Sequence, residues 1–262
     1  RASLNAVLSL NTASERPVKT LAISTRALRE ALMPQSWLVA VDSVKAALRR
    51  IDGTGGAFWK SGLPLTVDIQ GGYEEFLGEV IGVITRFGAV GADIEDSTLV
   101  RGEDNGWTTR ELIDAETQAS VIRAAIKGAA ESNLELPDFV VNARCDVFRP
   151  DLADPWCGAS DAAVLAEAVR RGRMYLEFGA TTVTYAGGPG RGLRREEIEV
   201  LVRDLGGMVG VRLGDGEDAL TTRELAEIGV ARIDVGDSIY QIAMNAAKEA
   251  TARILGGGRL KA

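Results

Sequence analysis

Eight short apolar runs recur along the 262-residue chain, and most of them are followed by a longer segment with helical periodicity. The runs are almost continuously apolar, which is typical of strands that are buried on both faces. They are Ala6–Leu10, Lys19–Ser24, Leu65–Ile69, Ala89–Ile94, Phe139–Ala143, Thr181–Tyr185, Met208–Leu213 and Ala231–Val235. Strands that alternate with helices form parallel sheets, and eight such units predict a (β/α)8 barrel of the TIM type.

Seven segments between the runs carry apolar residues at helical spacing, with charged residues on the opposite face. They are Ser36–Ile51, Tyr73–Phe87, Thr108–Ser132, Asp161–Phe178, Arg194–Leu205, Glu217–Ile228 and Ser238–Leu255. Thr108 and Glu111 have the spacing of a capping box, which predicts the start of the third helix. Gly179 and Gly229 lie directly after helical segments and directly before strands, where left-handed backbone commonly ends a helix.

The first repeat does not fit a parallel barrel. Only Asn11–Pro17 separate the first two runs, whereas a parallel crossover needs about a dozen residues or more. Either Ala6–Leu10 is not a barrel strand, or residues of the connection are missing from the chain. We therefore expect a single domain over residues 1–262, with an irregular or incomplete first unit and a frayed tail at 255–262.

The chain contains no histidine, which excludes histidine-based triads, metal ligands and general bases. The net charge is −7 and the basic residues are scattered, so we expect no nucleic-acid-binding surface, although a local arginine can still bind a small anionic substrate. The two cysteines, Cys145 and Cys157, have neither a disulfide framework nor a zinc-site spacing. No apolar stretch is long enough to span a membrane, and we expect a cytoplasmic protein.

Charged side chains follow three consecutive runs, at the ends where barrel enzymes carry their chemistry. Asp68 ends the third run, Glu95 the fourth, and Arg144 the fifth. Converging carboxylates without histidine suit a hard cation such as Mg²⁺, and an arginine offers a planar fork for a substrate anion. The alternative interpretation is a structural ion-pair network at the barrel mouth, which is also common.

Four segments around these residues resemble motifs of the isocitrate lyase/phosphoenolpyruvate mutase family. Leu65–Tyr73 resembles V-D-x-D-x-G-Y/F-G, Gly88–Ser97 resembles G-x-x-G-x-x-I-E-D, Val141–Asp146 resembles N-A-R-T-D, and Gly229–Ile233 matches G-V-A-R-I/V. Their order and spacing agree with the family from about Pro64 to Leu255. The resemblance implies a Mg²⁺-dependent barrel that cleaves or forms C–C or C–P bonds in small 2-oxo acids and related carboxylates through an enolate-like species.

By the same resemblance, Asp68 and Glu95 take the metal positions. Substrate-binding positions fall on Ser24, Thr25, Gln70, Gly71 and Arg144. The last helix, Ile239–Leu255, packs on a neighbouring subunit in relatives, which implies a homo-oligomer and favours a tetramer.

Two departures from the family affect the predicted chemistry. Gln70 stands where the family has a second aspartate, which removes one negative charge from the metal site. The polar segment Thr98–Thr109 has no cysteine, whereas lyase members carry one there, so isocitrate lyase activity itself is not expected. We interpret this segment as a lid, and without histidine the proton transfer is assigned to Glu103, Asp104 or Tyr185, with Arg144 as a further catalytic residue. The alternative is a catalytically diverged member that binds a carboxylate ligand or a protein partner.

Overall fold

The computed structural model describes residues 5–11, 18–24, 64–86, 88–101, 107–132, 136–150, 152, 159–187, 192–236 and 238–259. The strands among them are β1 (Asn5–Asn11), β2 (Val18–Ser24), β3 (Leu65–Asp68), β4 (Ala89–Glu95), β5 (Ser97–Arg101), β6 (Trp107–Leu112), β7 (Val140–Cys145), β8 (Thr182–Tyr185), β9 (Val209–Arg212) and β10 (Arg232–Asp234). The α-helices are α1 (Leu77–Arg86), α2 (Ala115–Ala130), α3 (Asp161–Glu177), α4 (Arg195–Asp204), α5 (Thr222–Ile228) and α6 (Ser238–Leu255). A short 3-10 turn, Glu74–Phe76, precedes α1. The predicted helix Ser36–Ile51 lies outside the described residues.

Eight strands close into a barrel in the order β1-β10-β9-β8-β7-β4-β3-β2, as the alternation of runs and helices predicts. All neighbouring pairs from β2 to β10 around the barrel are parallel. β1 is the exception, because it pairs antiparallel with both β2 and β10. This direction resolves the irregular first unit: β1 is a barrel strand, and an antiparallel pair needs only a short connection such as residues 12–17.

An additional hairpin, formed by β5 and β6, leaves the barrel directly after β4. It corrects the predicted start of the third helix, because Thr108 lies in strand β6 and not at a helix N-terminus. The helix starts instead at Asp114, whose carboxylate accepts a hydrogen bond from the Thr117 amide at 3.0 Å. The predicted helix extends too far upstream, because residues 107–112 pair with β5 and the local sequence does not reveal this partner.

The apolar core lies between the barrel wall and the helices and includes Val67, Ile81, Ile94 and Ile122, all of which are buried. Close packing of the wall requires a glycine in β4, because a Cβ at Gly91 would lie 2.6 Å from the carbonyl oxygen of Val140 on β7. The interior of the barrel carries polar residues instead. Side chains two residues apart on a strand point to the same face, so these residues form two layers. The inner layer contains Thr66, Asp93, Asn142 and Arg232, and the layer at the mouth contains Asp68, Glu95, Arg144 and Asp234, each two residues further along its strand.

Several predicted helix ends are confirmed. Gly179 and Gly229 have φ angles of 104° and 98°, the left-handed backbone that favours glycine. At the C-terminus the amides of Gly256 and Gly258 donate to carbonyls of α6, so the chain remains hydrogen-bonded beyond Leu255. No helix in the described part of the chain is long and apolar enough to cross a membrane.

Candidate active site

Three charged side chains meet at the carboxyl-terminal mouth of the barrel. Asp68 is the last residue of β3 and Glu95 the last of β4, and the register pairs Glu95 directly with Arg144 of β7. Arg144 Nη1 lies 3.0 Å from Asp68 Oδ2, and Arg144 Nη2 forms an ion pair with Glu95 Oε2. One guanidinium therefore joins both carboxylates, as expected for residues at the ends of neighbouring parallel strands.

Burial sets the electrostatics of this group. The Glu95 side chain is only 3% exposed, whereas the side chains of Asp68 and Arg144 are 13% and 16% exposed and border the mouth. Burial raises the pKa of Asp68 more than the positive charge of Arg144 lowers it. Burial also disfavours the charged form of Arg144, but the surrounding carboxylates, led by Asp146 and Asp68, outweigh it and raise the arginine pKa, so the guanidinium stays protonated.

A second guanidinium, that of Arg110 on the hairpin, supports Glu95 and Asp146. Arg110 on β6 is 1% exposed, and its Nη1 lies 3.4 Å from Glu95 Oε1 and 2.8 Å from Ser97 Oγ. The Ser97 hydroxyl donates in turn to Asp146 Oδ2 at 2.5 Å. Arg110 is not among the residues that the sequence predicts for the site, because the helical pattern extends over residues 108–132. The pairing of Leu99 with Arg110 in the hairpin and the burial of Arg110 correct that prediction.

Below the mouth, the inner polar layer holds the strands in register. Asp93 accepts hydrogen bonds from Asn142 Nδ2 at 2.5 Å, from Arg232 Nη2 at 2.8 Å and from Thr66 Oγ1 at 3.2 Å. The oxygen of Asn142 accepts from two threonines of β8. Four strands are thus joined through Asp93, and the motif residues Asn142 and Arg232 support the site from beneath.

Behind the site, a network ties β4 to the outer helix α3. Asp96 Oδ2 accepts hydrogen bonds from the Tyr175 hydroxyl at 2.7 Å and from Arg171 Nη1 at 3.1 Å, and all three residues are buried. Asp96 Oδ1 accepts from the Asp146 amide at 2.8 Å. Burial and the nearby Asp146 raise the pKa of Asp96 despite the positive charge of Arg171. Helix α3 supports the site from behind through these hydrogen bonds to Asp96, which no local sequence pattern predicts.

The turn after β3 places Gln70 where the family pattern has an aspartate. Its backbone has a positive φ of 55°, its amide donates to Asp68 Oδ1 at 2.9 Å, and its carbonyl accepts from the Glu95 amide at 2.7 Å. The side chain is buried. Gln70 is therefore built into the same turn that orients both carboxylates, and Gly71 follows it at the mouth.

Of the remaining predicted site residues that the structure describes, one lies at the mouth and one lies away from it. Ser24 pairs in register with Asp68, at the mouth end of β2. Thr25, Glu103 and Asp104 lie outside the described residues. Tyr185 is not brought to the mouth: it is fully buried, its hydroxyl donates to the Ala168 carbonyl in α3 at 2.9 Å, and burial raises its pKa well above the ordinary value.

The oxygen donors suit a magnesium ion in their chemistry. Arg144 already acts as a stand-in cation, since Asp68 and Glu95 both direct an oxygen to the same guanidinium. Mg²⁺ in enzymes is commonly bound through one or two carboxylates, several waters and the substrate. Among the described residues no group of three or more acidic or cysteine side chains is arranged to hold a metal ion, and Asp68 and Glu95 are the residues that would hold one at the mouth.

Comparison with known proteins identifies the class of this barrel. The phosphoenolpyruvate phosphomutase family model matches residues 17–255, and the chain therefore belongs to that family. No protein of curated function gives a significant match.

Solved structures agree with this assignment. A protein from Burkholderia cenocepacia J2315, described as a phosphonomutase, is 33% identical over 75% of this chain and 70% of its own, with a TM-score of 0.55. A phosphonopyruvate hydrolase in complex with oxalate and Mg²⁺ is 26% identical over 75% of this chain and 62% of its own, with a TM-score of 0.56. A 2,3-dimethylmalate lyase, 21% identical over 85% of this chain and 69% of its own, shares the fold with a TM-score of 0.61.

Proposed function

We propose that the protein is a Mg²⁺-dependent enzyme that cleaves or forms a C–C or C–P bond in a small 2-oxo acid or a related carboxylate. The observation that carries this proposal is the meeting of Asp68, Glu95 and Arg144 at the barrel mouth of a member of this family. The solved relative with bound Mg²⁺ and oxalate supports the choice of metal and of a small dicarboxylate-like ligand.

Each residue has a distinct task in this proposal. Asp68 and Glu95 would hold the metal, with water supplying further ligands, because Gln70 is neutral where the family pattern has a second aspartate. When bound, Mg²⁺ supplies Lewis acidity that polarises the 2-oxo group and stabilises the negative charge developing as the bond breaks. Arg144 binds the anionic end of the substrate or of the departing group through its planar fork.

Support and closure come from the surrounding residues. Arg110 and Ser97 keep the base of the β5–β6 hairpin against Glu95. Residues 102–106 connect β5 to β6 and lie outside the described residues, and we assign the segment Thr98–Thr109, which contains them, the role of a lid that excludes water. Glu103 and Asp104 in this segment are the proposed acid and base, because the Tyr185 hydroxyl is held by the helical layer.

The test combines binding with turnover. Isothermal titration of oxalate should show tight binding in the presence of millimolar Mg²⁺ and weak binding in EDTA, and Glu95→Gln should abolish the difference. Glu131→Gln, which removes an exposed carboxylate on the far end of α2, is the matched control. A panel of 2-oxo acids and phosphonates, followed by ¹H and ³¹P NMR, should then yield a Mg²⁺-dependent conversion.

Two results would refute the proposal. One is a wild-type protein that binds neither Mg²⁺ nor oxalate at millimolar concentrations. The other is an identified activity that EDTA leaves unchanged. The first result would favour a diverged family member that uses the barrel mouth only to bind another ligand or a partner, and the second would favour catalysis without a metal ion.

A further inference from the structure

The position that a metal ion would take between Asp68 and Glu95 is already held by a cation of the chain itself. Arg144 donates through Nη1 to Asp68 and pairs through Nη2 with Glu95, so one guanidinium contacts both carboxylates. Any divalent cation that binds this pair must therefore compete with Arg144 or accept a positive charge beside it.

Ion pairs at the mouth join two guanidiniums to three carboxylates. Arg110 and Arg144 contact Asp68, Glu95 and Asp146, and Asp234 is a further nearby carboxylate that raises the pKa of Arg144. Asp93 in the layer beneath is matched by its own partner, Arg232. A divalent cation at the Asp68–Glu95 pair would lie beside two guanidiniums that already contact these carboxylates.

The two arginines differ in their freedom to move. Arg110 is 1% exposed and anchored to Ser97, Glu95 and Asp146 at the hairpin base. The Arg144 side chain is 16% exposed, and it contacts Asp68, which borders the mouth, and the buried carboxylates of Glu95 and Asp146. Arg144 is therefore the cation that an incoming ligand can reach and draw away.

We propose that Arg144 is a built-in counter-cation that competes with Mg²⁺ for the Asp68–Glu95 pair, so that metal binds weakly until an anionic ligand engages the arginine. The inference rests on the proposed function and adds a coupling to it. A substrate anion and the metal then promote each other's binding, by the same factor in both directions, because each removes the obstacle to the other. In the free protein the guanidinium keeps two buried carboxylates from repelling each other.

The decisive measurement is Mg²⁺ affinity in the absence of any binding anion, by isothermal titration at pH 8. Arg144→Gln should bind Mg²⁺ about ten-fold or more tightly than the wild type, because a positive charge beside the pair has been removed. Arg144→Lys keeps the charge and should bind Mg²⁺ within a few-fold of the wild type. Arg173→Gln, which removes an exposed guanidinium of α3, should leave Mg²⁺ affinity unchanged.

A folded Arg144→Gln protein with wild-type or weaker Mg²⁺ affinity would overturn the inference. If that variant does not fold, the arginine Nε region of the ¹⁵N NMR spectrum gives an independent answer on the wild type. Mg²⁺ should shift the Arg144 signal, assigned by its loss in Arg144→Lys, and an unmoved signal at saturating Mg²⁺ would reject the competition.

A failure of this inference can be distinguished from a failure of the proposed function. Wild-type protein that binds Mg²⁺ with oxalate, combined with an unchanged affinity in Arg144→Gln, rejects the counter-cation and leaves the enzyme proposal intact. Wild-type protein that fails to bind Mg²⁺ even with oxalate rejects both.

Discussion

The Arg144 guanidinium and the Asp68 carboxylate lie 3.0 Å apart, although 76 positions separate them in the chain. Two parallel pairings produce this contact, since β4 lies between β3 and β7 and all three strands end at the same mouth. The contact brings a possible metal ligand and a possible anion-binding residue together before any ligand is bound. Substitutions at and around this contact therefore test both the electrostatics of the site and the alignment of the three strands.

Restoring the family's aspartate should strengthen metal binding. We expect Gln70→Asp to tighten Mg²⁺ binding by about ten-fold, because a carboxylate near a divalent cation replaces a neutral amide. The positive φ of this position is tolerated by aspartate and asparagine alike, so Gln70→Asn is the matched neutral control. Titration calorimetry measures the effect, and equal affinities of the two variants would show that position 70 does not face the metal.

The Asp96 network should dominate the stability of the region behind the mouth. Arg171→Met leaves the buried Asp96 carboxylate without its counter-charge and should cost about 3–5 kcal/mol in the free energy of unfolding. Tyr175→Phe removes one hydrogen bond to the same carboxylate and should cost about 1–3 kcal/mol. Arg170→Gln, at an exposed neighbouring position, should cost no more than about 0.5–1 kcal/mol. Urea unfolding measures all three, and equal losses for Arg171→Met and Arg170→Gln would contradict the network.

Asp146 should contribute stability that depends on pH. Burial raises its pKa, but Arg144, Arg149, the Ser97 hydroxyl and Arg110 together outweigh burial and hold the pKa below the ordinary value of 3.8. The folded protein thus binds this proton less readily than the unfolded chain. The stabilisation is present at neutral pH and fades as the pH falls below about 4 through the folded-state pKa.

The corresponding test compares Asp146→Asn with the wild type by chemical unfolding at pH 7 and near pH 3. The loss in free energy of unfolding should be largest at pH 7 and should shrink at pH 3. Asp138→Asn, which alters an exposed carboxylate, should show little loss at either pH. A loss for Asp146→Asn that does not change with pH would mean that the carboxylate is not ionised in the folded protein.

The connection between β5 and β6 should affect turnover rather than binding. Under the proposed function, Glu103→Gln or Asp104→Asn should lower the turnover number by about 10²-fold or more, because a positioned acid or base is lost. Mg²⁺ and oxalate affinities should stay unchanged. Glu111→Gln, at an exposed position of β6 on the same hairpin, should leave turnover intact. Full activity in both the Glu103 and the Asp104 variant would place the proton-transfer group elsewhere.

The last helix should form a subunit interface. Ile239, Ile242 and Leu255 of α6 are 55%, 69% and 83% exposed, which is unusual for a cluster of large apolar side chains. We expect a homo-oligomer, with a tetramer as the predicted state, and a smaller species for Ile242→Asp. Lys248→Asp, at an exposed polar position of the same helix, is the control. Light scattering at micromolar concentration decides, and a monomeric wild type would contradict the prediction.

The sequence alone determined the barrel and the members of the candidate site. Buried parallel strands read as continuous apolar runs, so all eight barrel strands were located to within one or two residues. Strand ends are also local features, which is why Asp68, Glu95 and Arg144 were selected together. Left-handed glycines after helices have the same local origin, and Gly179 and Gly229 were recognised from their neighbours alone.

Only the tertiary structure decided the direction of β1, the β5–β6 hairpin and the role of Arg110. Strand direction and hairpin pairing depend on hydrogen bonds to residues that are distant in the sequence. A polar strand such as β5 or β6 has the same amino-acid composition as a loop. Tyr185 shows the same limit, because the last residue of a strand can face either the mouth or the helices, and alternation decides the side only when the register is known. The partners of Arg144 were likewise fixed by register, since a contact across 76 positions exists only after three strands have aligned. Short-range periodicity is a property of the local sequence, whereas the pairing of charged side chains depends on the closed barrel.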